Sequence, residues 1–394
     1  MRERLKCAVL SSTRFHMFDL ARQLKAQGHD VTLLTGYPKW RLDYDLQDIA
    51  FVNPWLVTPL VALPRWGIPL PGALHWAWEH WARRHLSSWA CRHLAGIQVL
   101  DALSTWGLEA GKFVQQAGGV HICNRGSSHI LFQKEILEAE FARWGVPPPD
   151  GLPPWVIARE TGEYAASDAV VVPSHFARRT FVGKGVPAEK VYVCPYGVDL
   201  SLFRPFPKGD HKFRVLFVGA FSIQKGIGYL FEAVRPLVQA GQVELWLIGG
   251  PSPEAREILA RNQDLFINQG FHPRKDLAQL YSQGSVLVLP SIQEGLALVQ
   301  AQAMACGVPV IATPNAGAED LFTDGREGFI VPARDPLAIR EKIEWLLAHP
   351  TEREEMRAAA LARVQGLGGW QVYGEKCSDI YRQVLADKSR SKLS

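Results

Sequence analysis

RVLFVGAFSIQKGIGYLFEAVRPLVQAGQVELWLIGG, residues 214–250, decides the fold. Val215–Val218 is a short apolar run, the pattern of a strand buried on both faces. Gly219 then lets the chain turn sharply, a helical stretch follows, and Val243–Ile248 reads as a second buried strand. The N-terminal part repeats the pattern. KCAVLSS opens a strand at Cys7–Leu10, Leu20, Ala21 and Leu24 give a helical stripe that Gly28 ends, and Val31–Leu34 is the next strand. Two β-loop-α-β starts in one chain predict a duplicated, doubly wound α/β architecture with a parallel sheet in each half.

The length of 394 residues suits two domains, each with its own core. The segment 190–213, KVYVCPYGVDLSLFRPFPKGDHKF, is dense in Pro and Gly and reads as the boundary. The expected division is a first domain over 1–197, a linker over 198–212, a second domain over 213–369, and a terminal helix over 370–394 that packs back toward the first domain. Its stripe is Val372, Cys377, Ile380, Tyr381 and Val384. Apolar residues at 47% and charged residues at 21% exclude a disordered chain. A net charge of +4 is too mild for nucleic-acid binding but suits anionic small molecules or an anionic membrane surface. The six scattered cysteines form no CxxC, which argues against a zinc site or disulfide framework and for reduced thiols in a cytoplasmic protein. Neither a signal peptide nor a membrane span is expected, because the longest apolar stretch, 51–70, is broken by four prolines and an arginine.

In open parallel sheets, ligands sit beyond the C-terminal ends of the strands, so the loops there carry the chemistry. After Val218, GAFSIQKG places Lys225 at a helix start, where amides and dipole favour an anion. By itself this reads equally as a strand–helix turn with an exposed lysine. After Val286–Leu289, PSIQEGLALVQAQAMACG places Glu294 in a turn before a helix. Gly295 permits a close approach, the amides of Gly295, Leu296 and Ala297 are free donors at a helix start, and Gln302 falls two turns into the helix. The plain alternative is a dipole-complementing glutamate and a solvated glutamine. In the first half, His121–Cys123 is a short strand followed by Arg125, Ser127, Ser128 and His129, polar residues with a glycine at a strand end. Asp43-x-Asp45 lacks the context of a metal-binding DxD and reads as a solvated loop, and the stretch 183–193 lacks the P-loop spacing. In 71–94, Leu74, Trp78, Trp81, His85 and Trp89 share one side, among Arg83, Arg84 and Arg92. This is either a domain helix with tryptophans in the core or an interfacial helix that makes a peripheral membrane contact.

From CPYGVDLSLFRP through FVGAFSIQKGIGYLFEA, LIGG, GFHPRKDLAQLYSQGSVLVLPS and EGLALVQAQAMACGVPVIAT to EGFIVPARDPLAIREKIEWLL, the sequence resembles the GT-B glycosyltransferases of family 4. That resemblance implies two Rossmann-like domains facing a cleft, acceptor-binding first and donor-binding second, with a last helix crossing back. It implies a retaining, metal-independent transfer of a sugar, without cofactor, from a nucleoside diphosphate sugar (UDP- or GDP-linked) to a glycan, lipid-linked or small-molecule acceptor. Such a protein is expected in the cytoplasm or at the inner face of the membrane. Carried over by residue, Glu294 is the acid near the sugar hydroxyls, and Gly295, Leu296 and Ala297 offer amides. Lys225 contacts the diphosphate beside the Gly219 turn, Phe271 and His272 lie by the base, and His129 approaches the donor sugar. Two positions depart from the pattern. Gln302 stands where a ribose-binding glutamate is usual, and Ala220 where an arginine often binds the diphosphate. Ser222, or Arg14 from across the cleft, is the expected substitute for the latter, with Arg14, His16 and Arg125 on the acceptor side. A nucleotide-sugar epimerase or hydrolase on the same fold, and a non-catalytic scaffold, are the rival readings.

Overall fold

In the computed structural model, described over residues 4–12, 14–53, 55, 72–148 and 152–391, the apolar runs form two sheets. The first contains β1 (Lys6–Ser11), β2 (Asp30–Thr35), β3 (Ala50–Val52), β4 (Val99–Leu103), β5 (Val120–Asn124), β6 (Ala169–Val172) and β7 (Val191–Val193), in the order β3-β2-β1-β4-β5-β6-β7. The second contains β8 (Arg214–Phe221), β9 (Glu244–Pro251), β10 (Phe266–Gly270), β11 (Val286–Leu289), β12 (Val310–Ala312) and β13 (Gly328–Ile330), in the order β10-β9-β8-β11-β12-β13. Every ladder between these strands is parallel. Apart from the buried Arg214 that opens β8, the buried residues of central strands such as β8 and β11 are apolar because helices cover both faces. In each sheet the strand order reverses at one place: between β1 and β4 in the first, between β8 and β11 in the second. Loops diverge there and leave a crevice, the usual seat of a ligand.

The terminal helix Trp370–Ser391 lies against the first sheet's unit, on helix His16–Ala26. Tyr373, Cys377, Tyr381 and Val384 are its buried face. Ser378 Oγ donates to Gln27 Oε1 at 2.6 Å, Tyr381 Oη to Asp101 Oδ2 at 2.6 Å, and Lys388 Nζ to the Gly119 carbonyl at 2.7 Å. The two units also meet away from this helix. Glu140, fully buried on helix Ile130–Trp144, receives Tyr229 Oη at 2.6 Å and Arg334 Nε at 2.6 Å from the second unit. A buried carboxylate so fully paired resists separation, because either unit leaving would strand a charge.

Candidate active site

Lys225 and Glu294 meet at the crevice of the second sheet. Lys225 follows β8 and Glu294 follows β11, the two strands that flank the reversal. Their side chains form an ion pair, with about a fifth of each exposed. The strand does not end at Gly219: that residue lies inside β8 with φ +131, paired with Gly249, and a Cβ there would stand 3.3 Å from the Lys225 Cε, so the bare backbone gives the lysine its path. Ser222 Oγ accepts the Lys225 amide at 3.2 Å and fixes the turn. That bond, and the 6% exposure of Ser222, make it part of the turn. Ala220 is exposed, opposite Gly250 in the β8–β9 ladder.

The Glu294–Gly295 turn is braced from the other unit, which sequence reasoning missed. Gln293 is fully buried, and its Nε2 donates to Ser127 Oγ and Ser128 Oγ, each at 2.7 Å. Gln224 Nε2 donates to Gln293 Oε1 at 2.9 Å, and Ser174 Oγ to the Gly295 carbonyl at 2.6 Å. The signal available was the position of Gln293 inside the same motif, next to the glutamate. Gly295 is needed for a close approach, but by protein and not by a ligand: a Cβ there would lie 2.2 Å from the Gly126 carbonyl oxygen. The expectation of three free amides is corrected as well. Ala297 N donates to the Ala316 carbonyl at 3.1 Å, which leaves the Gly295 and Leu296 amides without an acceptor among the described residues.

Helix Leu298–Ala305 begins later than the spacing predicts, so Gln302 is only about one turn into it. The Gln302 Oε1 accepts Tyr281 Oη at 3.0 Å. The amide carbonyl, the expected acceptor for a ribose diol, is thus already engaged by a buried tyrosine. Phe271 and His272 follow the edge strand β10, about 10 Å across the strand ends from β8. Phe271 is 86% exposed, and His272 Nε2 lies 2.8 Å from the Gln269 carbonyl.

On the facing unit the sequence-predicted residues separate. Arg14 is half exposed and donates to Asp43 Oδ2 at 2.7 Å. Asp43 and Asp45 also hold Arg22, at 2.9 and 2.5 Å, so the DxD is an ion-pair cluster. Among the described residues no group of acidic, His or Cys side chains is arranged to hold a metal. Arg125 is clamped by Glu160 at 2.6 Å and Gln133 Oε1 at 2.7 Å. His16 does not bring a basic group to the mouth. It is buried with Nε2 2.8 Å from Asn124 Oδ1, and burial pushes its pKa down to about 4. His129 is likewise buried, between Tyr164 and Phe181, and its Nδ1 accepts the Leu131 amide at 3.2 Å as a helix cap. Desolvation, then the charge of Arg125, lowers its pKa to about 4. The cap position is where the structure uses it.

The direction of both shifts predicts that these two imidazoles weaken the fold in acid. Their folded pKa values lie below the ordinary 6.5, so the stability they contribute is complete above pH 6.5 and is lost as pH falls through about 4. Asp101, buried and raised to about 6 despite its bonds to Tyr381 and Asn124, works the other way over the upper part of that range. We expect His129→Asn, which retains a capping oxygen without a titrating ring, to lose less stability than wild type between pH 7 and pH 4.5. The difference should be about 2–3 kcal/mol. Urea titrations at both pH values measure it, and equal losses in the two proteins would remove His129 from the acid response.

Helix Gly72–Ala90 divides its tryptophans: Trp89 is partly buried and packs against the core cluster, whereas Trp78 and Trp81 face outward. Ala82, Leu86 and Ala90 form the inner face, while Leu74, Trp78 and Trp81 are exposed at 60, 39 and 43%. Trp81 packs on His85 at 4.2 Å, Trp89 on His93 at 4.9 Å, and His93 on Phe51 at 4.4 Å. The exposed part of the stripe is therefore Leu74, Trp78 and Trp81, with exposed Arg84 and Arg92 on the same segment.

The profile described as Glycosyltransferase Family 4 matches residues 14–202, and that described as Glycosyl transferases group 1 matches residues 212–349. The chain is 26% identical over 415 residues to a D-inositol 3-phosphate glycosyltransferase of Frankia alni, covering 94% of each. It is 29% identical over 300 residues to a D-inositol 3-phosphate glycosyltransferase 1 of Catenulispora acidiphila, covering 70% of this chain and 69% of the other. Among solved structures it is similar to the sucrose-phosphate synthase of Thermosynechococcus elongatus, with TM-score 0.69 at 20% identity, covering 98% of this chain and all of that one. Anabaena HepE in complex with UDP-glucose aligns with TM-score 0.70 at 16% identity, over 96% of this chain and all of that one.

Proposed function

The chain belongs to glycosyltransferase family 4 and has the GT-B fold, and on that premise we propose that it moves a sugar from a nucleoside diphosphate to an acceptor hydroxyl in the cleft between its two sheets. The observation that carries the reading is the Lys225–Glu294 pair at the second sheet's crevice. A departing diphosphate gains negative charge as the glycosidic bond breaks, and a lysine already held there stabilises that charge without moving far. Glu294 accepts hydrogen bonds from sugar hydroxyls and orients the ring. The base end of the donor reaches toward Phe271, whose exposed face offers a stacking surface. The Gln302 amide N–H groups meet the ribose as donors, since Tyr281 already engages its carbonyl.

The mechanism that suits this site is retaining and needs no metal. The acceptor hydroxyl attacks from the face the diphosphate leaves, its proton passes to a leaving-phosphate oxygen, and the new glycosidic bond forms as the old one breaks. No protein base is required. Thermal stabilisation by UDP-, GDP- and ADP-sugars tests the donor assignment, beginning with UDP-glucose. Donor at about 100 times Kd should add about 2.7 kcal/mol and raise the melting temperature by a few degrees. No shift with any of the three would favour the scaffold reading. Release or isomerisation of the sugar in a donor-only incubation would favour the hydrolase or epimerase.

A peripheral membrane contact is a second reading of helix Gly72–Ala90, favoured by its outward Leu74, Trp78 and Trp81 beside Arg84 and Arg92. Aromatic rings at headgroup depth with cations around them fit an anionic bilayer surface. Among the described residues no helix is long and apolar enough to cross a membrane. We expect anionic vesicles to sediment the protein and Trp78→Ala/Trp81→Ala to weaken that binding roughly tenfold or more. Failure of wild type to sediment ends this reading without touching the transferase assignment.

A further inference from the structure

We propose that a phosphate-type dianion binds at the far end of the second sheet, away from the donor crevice, in a cavity where Lys208, Arg353 and Arg357 hold it. The cavity measures about 470 Å³. Phe213, Ser285 and Pro309 line it and stand immediately before β8, β11 and β12, so it lies beyond the N-terminal ends of these strands. Lys225 and Glu294 follow the other ends of β8 and β11. Helix Pro350–Leu367 supplies a further wall with Arg353, Glu354 and Arg357. The inference goes beyond the transferase reading and does not depend on it.

The charge in this cavity does not cancel. Four basic side chains line it, Lys208, His211, Arg353 and Arg357, against two carboxylates, Asp210 and Glu354. Asp210 is already taken by Arg214, whose Nη1 donates to its Oδ1 at 2.8 Å and whose Nη2 holds its Oδ2. Arg214 also pairs with Glu244 at 3.0 Å. Glu354 is 66% exposed and stands 3.8 Å from Arg357, too far for a hydrogen bond and screened by solvent. Neither Lys208 nor Arg353 forms an ion pair among the described residues.

Both of these cations are held in place. Lys208 Nζ donates to the Lys212 carbonyl at 2.6 Å and to Ser285 Oγ at 2.9 Å, which leaves one of its three N–H groups for a ligand. Arg353 Nη1 donates to the Leu346 carbonyl at 2.9 Å, and its guanidinium lies 5.1 Å from the Phe213 ring centre. The neighbours of Lys208 register the excess charge. Burial, then the charge of Arg214, lowers its pKa from 10.5 to about 8; Asp210 opposes the fall, and Arg353 and Arg357 add to it. A dianion among these side chains relieves their repulsion and accepts charge-assisted hydrogen bonds from a lysine and two guanidinium groups.

Calorimetric titration with sulfate, inorganic phosphate and glycerol 3-phosphate, at constant ionic strength set with chloride, tests this. Sulfate keeps both its charges at neutral and alkaline pH, so any pH dependence of its binding reports on the protein. Free Lys208 is charged below about pH 8 and has to recover its proton above it to hold the ion. If the bound ion returns Lys208 to its ordinary pKa of 10.5, sulfate affinity should fall about tenfold between pH 7 and pH 9. Lys208→Met should weaken sulfate binding roughly tenfold or more at pH 7 and remove that pH dependence. Lys208→Arg should keep the binding and lose the dependence, because a guanidinium does not titrate there. Lys225→Ala should leave both intact. Should Lys208→Met fail to fold, Arg357→Gln, at a side chain 35% exposed, should weaken sulfate binding severalfold. Absence of sulfate binding overturns the proposal, and so does an affinity unchanged in Lys208→Met. Binding that disappears in Lys225→Ala overturns it too, since the ion would then sit in the donor crevice. Tighter binding of glycerol 3-phosphate than of inorganic phosphate assigns the site to an organic phosphate, and equal binding to the free ion; both support the site.

Discussion

Lys225→Ala should slow sugar transfer by roughly 30- to 1000-fold, about 2–4 kcal/mol in the barrier, with donor affinity reduced far less. The asymmetry follows from when the charge develops. The bound donor has its diphosphate charge partly screened by solvent, whereas the leaving group gains charge inside the closed cleft. The lysine is well placed for this: its amide is fixed by Ser222, its side chain runs past the bare Gly219, and its ammonium is held by Glu294. The variant should fold normally, because a partly exposed side chain at a loop fills no core space. Glu294→Ala should impair both sugar orientation and rate. Gln302→Ala should cost only about 0.5–1.5 kcal/mol of nucleotide binding, and Gln302→Glu should be tolerated. Single-turnover rates and nucleotide affinities for the four variants provide the comparison. Unchanged values for both Lys225→Ala and Glu294→Ala would show that the crevice does not hold the donor.

The strands were legible because a parallel sheet covered on both faces leaves an uninterrupted apolar run, as at Val215–Val218 and Val286–Leu289. Lys225 and Glu294 were legible because strand-end loops are where such sheets bind ligands. What the sequence hid was depth and partnership. Nothing local distinguishes His16 and His129, both buried, from Arg14, which stays half exposed. Their placement depends on Tyr196, Tyr164 and Phe181, which arrive from distant segments. The helix at 72–90 misled for a different reason. Large tryptophans dominate its apolar pattern, but Ala82 and Ala90 make the closer approach to the sheet, and small residues give a weak periodic signal. Contacts between the units, such as Gln293 with Ser127, join residues 166 positions apart and have no local sequence signature.

Gly295→Ala should separate chemistry from binding by acting on the contact between the two units and not on the pocket itself. The added methyl would lie 2.2 Å from the Gly126 carbonyl oxygen and 2.8 Å from the Ser127 Cα. Both are backbone atoms, so no side chain can rotate away to make room. Relief requires the 126–127 loop and the Glu294 turn to part. That movement breaks the Ser174 Oγ bond to the Gly295 carbonyl and the two bonds from Gln293 Nε2 to Ser127 and Ser128. Three hydrogen bonds at about 0.5–1.5 kcal/mol each make the closed cleft less favourable by roughly 2–4 kcal/mol. The clasp at Glu140 lies on other elements, so the two units should remain attached and the protein folded. Donor affinity should change by only about threefold, since the diphosphate and base contacts belong to the second unit alone, while turnover should fall roughly 30-fold or more. Gly295→Ser should behave the same way, because the conflict begins at Cβ. Turnover and nucleotide affinity measured on one preparation decide it. Wild-type turnover in Gly295→Ala would mean that the two loops need not touch during catalysis, and an equal fall in affinity and turnover would place the glycine in the donor site itself.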